Sequence, residues 1–130
     1  MGCDIHAGLF QVDSWADFVA IPPVDRYYDF FSVLAGVRGE YEPIVEPRGL
    51  PEWFKREPWW SEHIVDGDHT ASWLTLQELL DFRDGKRWRG LDENVRGAVA
   101  SWIELGEFYR KYDFCNSPPD RFVFVFNFDS

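Results

Sequence analysis

The stretch MGCDIHAGLF sets Cys3, Asp4 and His6 at the head of a hydrophobic run. In an extended strand, residues two apart share a face, so Asp4 and His6 point one way and Cys3 the other. A carboxylate beside an imidazole can chelate a metal or couple in proton transfer, and it can equally be a plain hydrogen bond at a strand end. A second cluster lies in DGDHTASWLTL, where His69, Ser72 and Thr75 precede an amphipathic segment. The free N–H groups of a helix start attract an anion, so a histidine and hydroxyls beside them could bind or protonate a phosphate or carboxylate. The third is EPRGLPEW, where Arg48 stands on a loop stiffened by Pro47 and Pro51. A guanidinium there suits two-pronged recognition of phosphate or carboxylate, and can equally pair with a nearby acid. Arg38 is a weaker candidate of the same kind.

Together these give an expected ligand-binding set of Asp4, His6, Arg48, His69, Ser72 and Thr75. His69 and His6 are the acid–base candidates if there is turnover. Asp4, His6 and His69 are the ligands if a divalent metal is bound, three protein ligands being the count of an open catalytic zinc site. Cys3 reads as packing, because nothing orients it next to a base. His63 has no supporting context. There is no CxxC, HExxH or glycine-rich phosphate loop.

The elements that must position these residues follow from periodicity. Asp4 to Val12 reads as a strand, and Trp15 to Ile21 as a second, ended by Pro22-Pro23. Tyr27, Phe30, Phe31 and Leu34 fall at helical spacing, with Asp25 or Asp29 as cap and Gly36 or Gly39 as stop. Residues 40–68 hold four prolines and Trp53, Phe54, Trp59 and Trp60. Proline excludes a helix there, and the aromatics exclude a solvated linker, which leaves a flap packed on the domain. In SWLTLQELLDF, Thr75 and Glu78 make a capping box, with Leu74 and Leu79 as a hydrophobic staple, for a helix running to about Phe82. DGKRWRG is a charged turn. Asp92 opens the longest helix, with Val95, Val99, Trp102, Gly106 and Tyr109 as its apolar stripe. The chain closes on RFVFVFNFDS, apolar on both faces, hence a central strand whose natural neighbour is the N-terminal one. The expected fold is a single α+β domain over 1–130. A small antiparallel sheet pairs the N- and C-terminal strands, about three helices pack on it, and the flap covers it.

The net charge is −10, from 23 acidic and 13 basic residues. Composition shows no basic footprint, which argues against direct nucleic-acid binding. The acidity serves solubility, or it imitates a phosphate backbone to occupy a nucleic-acid-binding protein. Two cysteines make no disulfide framework, and with no signal-peptide pattern a reducing cytoplasm is expected. No apolar run is long enough to span a bilayer.

The segments MGCDIH, YYDFFSVLAGVRG, PRGLP, DHTASWLTLQEL and RFVFVFNFD, in that order, resemble a family of small bacteriophage and prophage proteins that open with Met-Gly-Cys-Asp-Ile-His. The resemblance implies a phage setting in the cytoplasm of a bacterial host, and marks Cys3, Asp4, His6, Arg48, Gly49, His69 and Ser72 as motif residues. It carries context rather than an activity. Where that family often has a second histidine, this chain has Ala71. Three functions are therefore in view. The first is a counter-defence protein with a pocket for a small, nucleotide-like anion, which it sequesters or degrades. The second is an acidic inhibitor that binds a basic host defence protein, in the manner of anti-CRISPR or anti-restriction proteins. The third is a metal-dependent hydrolase.

Overall fold

FVFVFNFD sets the architecture. A computed structural model describes residues 4–54, 70–113 and 116–129. Its elements are β1 (Asp4–Val12), β2 (Ala16–Ala20), α1 (Tyr28–Ala35), β3 (Ala71–Thr75), α2 (Leu76–Asp84), α3 (Glu93–Lys111) and β4 (Phe122–Asp129). Short 3-10 turns stand at Trp88–Gly90 and Pro119–Arg121. The strands form one antiparallel sheet in the order β2-β1-β4-β3. The N- and C-terminal strands pair along their length, from Asp4 opposite Asp129 to Gln11 opposite Phe122.

Alternation along β4 divides the molecule into layers. Phe122, Phe124, Phe126 and Phe128 face the helices, in one core with Ile5, Ala7, Leu9 and Leu74. Trp102 of α3 is fully buried there, stacked on Phe124 at 5.0 Å and edge-on to Phe30 at 5.2 Å. Its indole N–H donates to the Pro23 carbonyl at 2.8 Å, so the polar end of the ring is satisfied. Each large side chain so buried contributes about 1.5–3 kcal/mol. α3 lies close to α2 at Gly106, where a Cβ would come within 2.9 Å of Leu76 Cδ1.

On the other face, Phe10, Val123 and Val125 form a smaller core under Leu50, Trp53, Phe54 and Trp73. Trp53 and Phe54 meet Phe10 edge-on at 5.4 and 5.9 Å. The described part of the expected flap, 40–54, thus covers the sheet with its aromatics. Its remainder, with Trp59 and Trp60, lies outside the described residues.

One local expectation needs correction, the cap of α1, and one strand is added. Ala71–Thr75 forms β3, a strand that the local pattern does not announce, because five residues carry little periodicity and it is pairing with β4 that extends them. The helix begins only after Thr75, with the capping box intact. Neither Asp25 nor Asp29 caps α1: Tyr27 stands at its N-cap with no side-chain capping bond, and Asp29 falls inside the first turn, where its charge still suits the macrodipole. Asp92 stands at the N-cap of α3 without a side-chain capping bond. Gly36 ends α1 as expected, at φ 75°, the left-handed geometry that favours glycine.

Candidate functional site

β3 is an edge strand, and an edge with unpaired backbone groups invites aggregation. The loop carrying Arg-Gly-Leu-Pro closes it. Gly49 N–H donates to the Ala71 carbonyl at 2.9 Å, and Arg48 N–H donates to Ser72 Oγ at 3.1 Å. Arg48 Nη1 donates to the Trp73 carbonyl at 3.3 Å, while its guanidinium lies 4.1 Å over the Trp73 ring. Glu78 Oε1 accepts the Thr75 N–H at 2.9 Å. The outward Ala71 and Trp73 carbonyls and the Thr75 N–H are thus satisfied from one loop and one helix start. Gly49 makes the turn at φ 76°.

Glu78 is the hub. It closes the capping box with Thr75 and takes both prongs of Arg48, with Nη1 at 2.9 Å from Oε1 and Nη2 on Oε2. Burial pushes its carboxyl up. The Arg48 guanidinium, the Thr75 N–H and the Thr75 hydroxyl outweigh that and hold it below the ordinary carboxylate value. The fold brings Arg48, Ser72 and Thr75 together, with the Arg48 N–H on Ser72 Oγ and both the Arg48 guanidinium and Thr75 engaged by Glu78. The fork that would grip a phosphate holds a carboxylate.

Asp4 and His6 do share the outer face of β1, as the strand reading requires. His6 stands opposite Asn127, which stands opposite Ala71, so these three form one row across β1, β4 and β3. Two strand spacings, about 9–10 Å, separate His6 from Ala71. Asp4 is held by a residue the sequence did not single out. Arg26 Nε and Nη2 donate to its Oδ1 at 3.0 and 2.8 Å, an exposed pair. Arg38 is exposed, with its guanidinium 5.8 Å from the Tyr28 ring centre. His69, His63, Cys3 and Cys115 lie outside the described residues. Among the described residues no three His, Cys, Asp or Glu side chains are grouped to hold a metal. Among them, too, no helix is long and apolar enough to cross a membrane.

A different surface gathers what the core leaves out. Gln11, Asp13, Trp15, Asp17, Tyr109 and Tyr112, with Val19 and Asp113, line a groove of about 430 Å³ between the β1–β2 hairpin and the end of α3. Trp15 is 70% exposed and Tyr112 62%. Phe108, 54% exposed, packs against both Tyr109 and Tyr112 at 5.1 Å. These are three of the four large apolar side chains exposed among the described residues, the other being Ile21. The Trp15 indole is oriented by its N–H on Asp17 Oδ2 at 3.1 Å. Three carboxylates and three aromatic rings thus line one groove; Asp113 accepts the Ser117 N–H at 2.7 Å, and Lys111 Nζ lies 5.8 Å from the Tyr112 ring centre. Carboxylates and ring faces both attract a cation, the rings by about 0.5–2 kcal/mol each. Sequence reasoning missed this groove, although Trp15 between Asp13 and Asp17, and Phe108 off the apolar stripe of α3, were visible signs. Comparison with protein-family models, with curated proteins and with solved structures returned no match.

Proposed function

We propose that the chain works by protein contact, as an acidic accessory protein that docks on a basic segment of a nucleic-acid-binding partner. The groove of Asp13, Asp17 and Asp113 with Trp15, Tyr109 and Tyr112 carries this reading. Clustered exposed aromatics mark interaction surfaces, and Trp and Tyr are the residues that most often dominate binding energy. The carboxylates add selection for Lys and Arg and speed the encounter through the net charge of −10. The resemblance to phage proteins supplies the setting, a host factor whose nucleic-acid site is blocked. The engagement of Arg48 and Thr75 by Glu78 weighs against the first pocket reading, since those two residues were to hold the anion.

An oligo-arginine peptide is the direct probe, titrated while Trp fluorescence is followed. Binding is expected to weaken steeply with salt, and to fall about tenfold or more in Trp15→Ala and in Asp13→Asn/Asp17→Asn, with His6→Ala unchanged. Peptide affinity that ignores those substitutions would sink the proposal.

A further inference from the structure

The turn after α2 has the opposite character. Arg83, Lys86, Arg87 and Arg89 fall in one short run of a chain whose net charge is −10. Composition hides this local footprint, and the fold fixes it. Arg87 donates to the Pro43 and Glu42 carbonyls at 3.2 and 2.5 Å and lies 5.3 Å over Phe82. Trp88 meets Phe82 edge-on at 6.1 Å. Gly85 passes close to the helix end, where a Cβ would lie 3.3 Å from the Asp81 carbonyl oxygen. Arg83, in the last turn of α2, complements the helix dipole. That argument does not reach Lys86 and Arg89, which lie beyond the helix. Their side chains make no hydrogen bond or ion pair with any described residue. Arg83 keeps only a loose 3.8 Å contact with Asp84. Arg83, Lys86, Arg89 and Trp88, with Asp84 and Gly85, line an open groove of about 590 Å³. That is within the size range of small-molecule sites.

We propose that this groove binds the phosphate group of a small nucleotide-like anion. Three cations against one carboxylate can surround an oxyanion with charge-assisted hydrogen bonds, and the anchored backbone lowers the ordering cost of doing so. A nucleic-acid polymer fits less well, because its further phosphates would run along the acidic remainder of the surface. The inference is independent of the acidic groove.

Calorimetric titration of the full chain at low salt tests it, with ATP, inorganic phosphate and adenosine as probes. ATP is expected to bind and adenosine not. Lys86→Glu and Arg89→Glu should each weaken ATP by about tenfold or more, while Arg121→Glu, an equal charge change at an exposed site elsewhere, should change it less than about twofold. Asp17→Asn should leave it unaltered, which separates this site from the acidic groove. Phosphate binding as tightly as ATP assigns the groove to a bare oxyanion, and tighter ATP assigns it to a nucleotide; either supports the site. No heat from ATP or phosphate at millimolar concentration, or equal weakening by Arg121→Glu, overturns it.

Discussion

Replacing Arg48 with alanine removes a two-pronged contact to Glu78, a bond to the Trp73 carbonyl and a stacked cation, and it strands a carboxylate beside a helix start. Breaking a fully buried pair costs about 3–5 kcal/mol. Here the two side chains keep 24% and 27% of their surface in solvent, so screening lowers the figure. Hydrogen bonds to charged groups at about 1.5–3 kcal/mol, with about 0.5–1 for the cation over the ring, bring the expectation to about 2–3 kcal/mol. At about 2.1 cal/mol/K of unfolding entropy per residue, a chain of 130 residues would lose about 7–11 °C in Tm. Urea denaturation of the wild type, Arg48→Ala, Glu78→Gln and the double variant closes the cycle, with a coupling of about 1–2 kcal/mol expected. The folded-state pKa of Glu78 is depressed, so its contribution is fully present above the unfolded value of about 4.3 and is lost as pH falls through the folded one. The cost of Arg48→Ala should therefore shrink in acid. A loss below about 1 kcal/mol at pH 7, or one that persists undiminished below the Glu78 titration, would refute the reasoning.

Two further changes test the layers around this hub. Gly49→Ala meets no neighbouring atom within 4 Å, so it should cost only the left-handed backbone strain, about 1–2 kcal/mol, and Gly49→Asn less; equal stability of all three chains in denaturant would contradict the assigned turn. Trp53→Ala uncovers Phe10 and should cost about 2 kcal/mol, roughly half the loss for a fully buried tryptophan, with increased binding of a hydrophobic dye; a change within about 0.5 kcal/mol would show that the loop does not seal the sheet.

Much of this molecule was legible from local pattern. Alternation in FVFVFNFD gave a central strand and its two apolar faces, because a pleated strand has period two and both faces are buried. Thr75 and Glu78 announced the start of α2, since a capping box satisfies its own backbone groups without help from elsewhere. The shared face of Asp4 and His6 followed from the same strand geometry. What the sequence left undecided were matters of long-range pairing. Ala71–Thr75 is a strand only because β4 offers it an edge. Arg48 has a structural partner only because the fold carries the loop and α2 to the same strand, and no spacing rule links residues that far apart. The acidic groove joins a hairpin to a helix end, and the basic turn owes its shape to Glu42, Pro43 and Phe82. Periodicity encodes which face of an element is buried. Which polar side chains meet across elements is decided by the sheet order, and that emerges only when the whole chain packs.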